Sequence, residues 1–463
     1  MSFDEDPHPY PFDAITAADL RAAGSLKWTL YPDAIGAFVA EADFGVAPQI
    51  TRAVRDAMDA GFTGYPAPWL TARLQAATAR WQTARYGWDV ASDDVQLVPD
   101  VIAAFEFVIE RFTAPGAAII VPTPAYMPFL TVPQRHGRRV IEVPSILADG
   151  RWTMDLDAVA AAFADGAEML VLCNPHNPLG TVLAREELLR IAEVVTDVGG
   201  RVFADEIHAP LVFAPARHVP YASVSDAAAA HTVTATSASK AWNLAGFKCA
   251  QLILSNDESR EAWEADGGWA GHGTATIGSV AQVAAYSEGA DWLADVVAYL
   301  DGNRRLLAEL VAEHLPGVRM TVPEGTYIAF LDFRDTGLTG DLGEWFREHA
   351  GVAMTDGSAC GRAGAGFTRF VFATPRPILR AAVRVPDHGK LEPWRLIVLE
   401  KGALKRLAAL AEERGQALGM DEGQRAKGVA QFAESHLAVV VVKVPRATDK
   451  IPETEQVLSV GAV

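Results

Sequence analysis

The stretch HTVTATSASKAWNLAGFKCA, His231 to Ala250, runs from a β-rich segment into small hydroxyl residues around one lysine, Lys240, and holds a second lysine at Lys248. Its first half reads as a buried strand that ends in a polar, turn-prone cluster. Three upstream segments follow the same plan: AAIIVPTPAY (117–126), EMLVLCNPHNP (168–178) and GRVFADEIHA (200–209). Between them lie helix-length segments such as TVLAREELLRIAEVVTDVG (181–199), with apolar residues at helical spacing and a glycine stop. Strands alternating with helices imply an α/β fold, a mostly parallel sheet with helices on both faces. In that architecture ligands gather beyond the carboxyl ends of the strands. Tyr126, Asn177, Asp205 and Lys240 all fall at those ends and are expected to face one crevice.

Further along, residues 280–315 carry a long helical pattern, followed by strand-like TYIAFLDF (326–333) and FTRFVFA (367–373). This region reads as a second, smaller α/β domain. The expected division is an N-terminal segment 1–50 joining the small domain, a large domain 51–277 and a small domain 278–383. No internal repeat is present.

Composition narrows the function. The chain has 463 residues, 40 basic against 58 acidic, and a net charge of −18. That excess repels phosphate backbones and anionic lipid, which argues against nucleic acid and membrane as partners. The acidic, proline-rich start MSFDEDPHPYPF lacks the basic and apolar regions of a signal peptide. No apolar run approaches membrane-spanning length. Cys173, Cys249 and Cys360 are odd in number and show no metal or redox spacing, so they read as small buried apolar side chains in a reducing cytoplasm.

A lysine amine condenses with aldehydes, and desolvation lowers its pKa readily. Pyridoxal phosphate chemistry needs such an amine with three supports: an acid behind the pyridine nitrogen, polar groups at the ring hydroxyl and donors for the phosphate. Asp205 can keep the pyridinium protonated. Asn177 and His208 can reach the ring oxygen. Ser237, Ser239 and Lys248 can hold the phosphate, together with the amides of Val101 and Ile102 where a helix starts after Pro99. Singly these are modest signals, since a loop lysine is usually a solvated charge and an aspartate after a strand is usually a helix cap. Their order along the chain changes the odds.

The ordered motifs TPAYMPF, CNPHNPLGTV, VFADEIHAPL and TSASKAWNLAGFKCA resemble the fold-type I pyridoxal-phosphate enzymes of the class I/II aminotransferase superfamily. Within it FVAEADF, GFTGYP, RYGW, NPHNPLG, DEIH, WLADVVAYLDGN and TYIAFLDF are similar to the MalY/PatB-type carbon–sulfur (cystathionine) β-lyases, over residues 12–382. The resemblance implies that Lys240 joins the cofactor aldehyde and acts as base at Cα, with Tyr126 and Asp205 completing the catalytic groups. Asp205 would pair with the ring nitrogen, Asn177 with the ring hydroxyl, and Tyr126 would stack on the ring. Ser237 and Lys248 would bind phosphate, and Tyr65 would reach the phosphate in the neighbouring subunit of a homodimer. Arg369 would clamp the substrate carboxylate, a task suited to its planar fork. The chain departs from the family at Val371, where an asparagine is usual, and at Asp100, where a glycine is common. An acidic cap at Asp100 would compete with phosphate for the first amides of the helix unless its side chain turns away.

The implied reaction is β-elimination of a thioether amino acid, cystathionine or a cysteine S-conjugate, to thiol, pyruvate and ammonia. Amino transfer is the alternative, since both reactions begin with loss of the Cα proton; a cofactor-bound regulatory or binding protein is another. After ILRAAV the tail changes character. VPDHGKLEPW (385–394) resembles a motif of the nitroreductase family of flavin enzymes, which makes Asp387, His388 and Trp394 conceivable flavin neighbours. The tail, 384–463, reads as an incomplete α+β fragment, too short for a core of its own. Flavin binding is not expected.

Overall fold

The computed structural model describes residues 10–383, 394–433 and 437–443. It divides into two compact units, Met1–Arg384 and Val385–Val463. The first is built on a seven-stranded sheet. Its strands are β1 (Val95–Val98), β2 (Ala118–Thr123), β3 (Arg139–Pro144), β4 (Ala167–Cys173), β5 (Arg201–Asp205), β6 (Thr232–Thr236) and β7 (Ala250–Leu254), in the spatial order β1-β7-β6-β5-β4-β2-β3. Neighbours from β6 to β3 are parallel. β7 is inserted antiparallel between β1 and β6.

Successive side chains of a strand point to opposite faces, so a sheet covered on both faces needs apolar residues at nearly every position. The strands meet that demand. Ile119, Val121, Met169, Val171 and Phe203 pack into one core with the helix Val101–Phe112. Their neighbours Ile120, Leu170, Leu172, Val202 and Ala204 pack into a second core on the other face, against helices Leu156–Ala164 and Arg185–Val198. The latter helix ends at Gly199, whose φ of 64° is left-handed, as the glycine stop in the sequence predicts.

The long helical pattern of 280–315 is divided in two, Thr276–Glu288 and Ala290–His314. The break is Gly289, whose carbonyl accepts a 2.9 Å hydrogen bond from the Trp242 indole. A side chain at Gly289 would bring its Cβ to 2.5 Å from that indole nitrogen. A second, four-stranded antiparallel sheet follows, in the order Arg319–Met320, Ile328–Asp332, Phe367–Val371, Thr355–Asp356. Arg369 lies at its centre, opposite Phe330 on one side and Thr355 on the other. The chain start reaches this region too: Ile35–Gly36 pairs in parallel with Val352–Ala353, and the Val371 amide donates to the Ala37 carbonyl.

The second unit has an antiparallel pair, Trp394–Glu400 with Leu437–Lys443, and two helices, Lys401–Ala417 and Glu422–Ala433. Asp387 and His388 lie outside the described residues, and of Trp394 only the backbone is described. Among the described residues no helix is long and apolar enough to cross a membrane, and no cluster of three or more acidic, histidine or cysteine side chains forms a metal site.

Candidate active site

A cavity of about 580 Å³ opens beyond the carboxyl ends of β2, β4, β5 and β6. β2, β4 and β6 deliver Tyr126, Asn177 and Lys240 through the turns that follow them, and β5 delivers Asp205 as its last residue. Tyr126, Asn177, Asp205, His208, Ser239 and Lys240 line the cavity, and so do Val101, Ile102 and Lys248 at its phosphate-expected end. Arg369 enters from the second sheet. Ten of the twelve residues expected from the sequence are thus brought together. The two that are not are Ser237 and Tyr65. Ser237 is buried beneath the wall: its hydroxyl donates to the Cys249 carbonyl at 2.8 Å and accepts from Gln282 Nε2 at 2.9 Å and the Ser239 amide at 3.0 Å. Tyr65 lies outside the cavity, 85% exposed.

Asp205, the last residue of β5, sits between Cys173 and Ala235 on the neighbouring strands. Burial there pushes its carboxyl up to about 7, although the Ile207 amide and the Lys240 charge oppose the rise. Only one oxygen has a strong donor, the Ile207 amide at 3.1 Å; the other meets the Cys173 thiol at 3.9 Å. A buried carboxylate so poorly matched is a good receptor for a cationic N–H.

Lys240 shows the complementary shift. Burial, helped by the Arg369 charge, pushes its amine down to about 8, with Glu41 and Asp205 pulling the other way. Its Nζ donates to the Ala40 carbonyl at 3.2 Å. An amine lowered this far gives up its proton near neutral pH much more readily than an ordinary lysine, and the neutral form is the nucleophile. His208 is buried, and burial with the Lys240 and Arg369 charges holds its imidazole far on the neutral side. Among the described residues its Nδ1 has no hydrogen-bond partner. Burial first, and then the Asp205 charge, raise the Tyr126 phenol above its usual range, so it stays protonated.

Arg369 is 2% exposed. Its Nε donates to Asn177 Oδ1 at 3.1 Å and one terminal nitrogen donates to the Phe38 carbonyl at 2.8 Å. At the other end of the cavity Asp100 caps the helix Val101–Phe112: Oδ1 accepts from the Ala103 amide at 2.9 Å, and Oδ2 pairs with Lys248 Nζ at 2.8 Å. The side chain has not turned away, and the phosphate-expected end carries an internal anion.

The donor set suits pyridoxal 5′-phosphate. The mismatched Asp205 carboxylate and the depressed Lys240 amine are two deficits which a protonated ring nitrogen and an aldehyde would respectively fill.

The model of the class I and II aminotransferases matches residues 34–385. The chain belongs to that family. Within the family it is 39% identical over 370 residues to a cystathionine β-lyase of Corynebacterium glutamicum, covering 79% of this chain and 96% of that one. It is 32% identical to the cystathionine β-lyase PatB of Bacillus subtilis, covering 73% and 87% of the two chains. Among solved structures, cystalysin from Treponema denticola, which contains pyridoxal 5′-phosphate, superposes with a TM-score of 0.75 at 27% identity, over 81% of this chain and 97% of that one. The family match ends at residue 385, so the tail is no part of it.

Reading the sequence missed Lys27, Asp43, Asn243 and Tyr327, which hold the segment 38–43 that gives the cavity Phe38, Val39 and Ala40. FVAEADF, 38–44, was the available signal, since a polar motif with two acids beside apolar residues marks a segment held in place.

Proposed function

We propose that the protein is a pyridoxal-phosphate-dependent carbon–sulfur β-lyase that converts cystathionine or a cysteine S-conjugate to thiol, pyruvate and ammonia. The observation that carries the proposal is the convergence of Lys240, Asp205 and Arg369 on one cavity in a chain 39% identical to a cystathionine β-lyase.

In this reading the bound cofactor supplies an electron sink for the negative charge that develops when Cα loses its proton. Lys240 would hold the aldehyde, and its Nζ would take the Cα proton of the substrate. Asp205 would keep the ring nitrogen protonated. Asn177 and neutral His208 would lie at the ring oxygen, and Tyr126 would pack against the ring. The Val101 and Ile102 amides with Ser239 and Lys248 would hold the phosphate, Lys248 being shared with Asp100, and Ser237 braces the Ser239 amide from below. Arg369 takes the substrate carboxylate with a fork of parallel N–H donors, which orients the Cα–H bond. The thiolate then leaves Cβ, and the resulting enamine hydrolyses to pyruvate and ammonia.

The chain is further proposed to act as a homodimer in the cytoplasm. Tyr65, at 85% exposure, and Trp69, at 57%, present aromatic surface that a partner subunit would cover, which brings Tyr65 to the partner's phosphate. The three buried cysteines are all unpaired, as a reducing compartment favours.

Incubation with cystathionine and no keto acid tests the reaction. Stoichiometric pyruvate is expected; amino transfer to an added keto acid without pyruvate would replace the lyase with a transaminase.

A further inference from the structure

Lys27 is completely buried, with no place in the cavity lining. An ammonium in such a position must satisfy its N–H donors or be lost as a charge. Its Nζ donates to Asp43 Oδ2 at 2.8 Å, to the Glu41 carbonyl at 3.2 Å and to the Ala373 carbonyl at 3.3 Å. Three donors meet three acceptors. The other oxygen of Asp43 accepts from the Trp28 indole at 2.9 Å, and the Asp43 amide donates to Ala373 at 3.0 Å. Lys27 therefore ties residues 41–43 to the chain just beyond the strand that carries Arg369.

The segment so anchored crosses the mouth of the cavity, with Phe38, Val39 and Ala40 in its lining. Its carbonyls engage two of the three basic side chains of the site: Phe38 accepts from Arg369 at 2.8 Å and Ala40 from Lys240 at 3.2 Å. The Ala40 carbonyl also takes the Tyr327 hydroxyl at 2.8 Å. A second tie comes from the Lys240 loop itself. Asn243 Oδ1 accepts from the Ala42 amide at 3.1 Å, and its Nδ2 donates to the Ala42 carbonyl at 2.9 Å. Asn243 does this from a left-handed backbone, φ 59°, which asparagine tolerates better than most residues.

We propose that Lys27 is a positioning residue of the active site: through Asp43 it fixes the strap 38–43, whose carbonyls set the placement of Lys240 and Arg369. Asn243 is the second pin of the same strap. The pair ends on the Glu41 and Ala373 carbonyls, and Glu41 directly follows Ala40, whose carbonyl takes Lys240, on the same short segment whose Phe38 carbonyl takes Arg369. The inference rests on the reading of Lys240 and Arg369 as reacting amine and carboxylate clamp.

The test uses the full chain. Lys27→Met combined with Asp43→Asn removes both charges together, so that neither is left buried alone. Asn243→Gly removes the second pin and keeps the left-handed backbone. In both variants hydrogen exchange of the amides 38–43, followed by mass spectrometry in cofactor-free protein, is expected to accelerate about tenfold or more relative to the rest of the sheet. KM for cystathionine should rise about tenfold, and by more than kcat falls, because Arg369 is the group left unaligned. Exchange and KM both within about twofold of the parent in a folded variant would overturn the proposal. Should the double variant not fold, Asn243→Gly decides alone. Failure of the lyase reading would show in the parent, as absence of pyruvate, and leaves the exchange measurement intact.

Discussion

The Asp100 carboxylate and the Lys248 ammonium meet at 2.8 Å at the N-terminus of the helix Val101–Phe112, with the second carboxylate oxygen on the Ala103 amide. Burial alone would raise the Asp100 carboxyl, but Lys248 and the amide outweigh it and hold the group below its usual range. The Asp100 carboxyl is therefore ionised at neutral pH, and it engages a cation and an amide that a phosphate would otherwise have to itself. Asp100→Gly is expected to tighten binding of inorganic phosphate to cofactor-free protein about tenfold, since the helix N-terminus recovers its attraction for an external anion. Calorimetric titration with phosphate measures it. Weaker binding in the variant would show that Asp100 organises the phosphate site instead of competing for it.

Asp205→Asn separates chemistry from stability. In the cofactor-free protein the Asp205 carboxyl is shifted from 3.8 up to about 7, so its burial costs nothing below the ordinary value and the full amount above the shifted one. At roughly 1.4 kcal/mol per pKa unit the whole shift bounds the gain from Asn at about 4 kcal/mol at pH 8. Denaturant unfolding should therefore find the variant more stable than the parent at pH 8, with the advantage shrinking between pH 7 and pH 4. Turnover should fall by about a hundredfold or more, because the ring nitrogen loses its anionic partner. A variant less stable at pH 8 would contradict the picture of Asp205 as an unmatched buried charge.

Lys240→Ala removes the amine that the sequence singles out. Loss of at least about ten-thousandfold in kcat is expected, as is usual for a group that serves both as nucleophile and as base. In the parent, borohydride reduction should fix the cofactor on the peptide that contains Lys240. A label on any other lysine would remove the foundation of the mechanism.

Arg369→Lys keeps the charge and discards the fork. Because Lys offers a point charge where a planar bidentate donor is needed, kcat/KM should drop about a hundredfold. Glycine-like amino acids and carboxylate inhibitors should weaken in parallel, which a competition assay reads directly.

If Tyr65 serves the neighbouring subunit, two inactive variants should complement each other. Mixing Lys240→Ala with Tyr65→Ala chains should restore about a quarter of the activity, since half of randomly paired dimers are mixed and each holds one complete site. No recovery on mixing would place Tyr65 outside the shared site.

Much of this molecule is legible in its sequence because the sheet is apolar on both faces. Runs such as AAIIVPTPAY and EMLVLCNPHNP can only be buried strands, and their polar ends can only gather at one edge. The direction of β7 was not legible, since a short apolar run such as AQLIL carries no mark of orientation. Nor was the Asp100–Lys248 pair, whose members stand 148 residues apart. Lys27 was hidden for a different reason: a lysine is assumed to be solvated, and only the tertiary arrangement of three acceptors around its amine makes full burial tolerable. Ser237 shows the converse. Its place in a hydroxyl cluster suggested a phosphate donor, and the fold engages its oxygen with Gln282 and the Cys249 carbonyl.

The antiparallel insertion of β7 has a mechanical consequence. Because β6 arrives at the cavity and β7 departs from it, Lys240 and Lys248 ride on one short loop clamped at both ends by rungs of the same ladder. Such a loop has little slack. The backbone that carries the amine is thus the fixed wall of the site, and motion that admits an amino acid and releases a thiol is expected of the opposite wall, where Arg369 belongs to a different sheet.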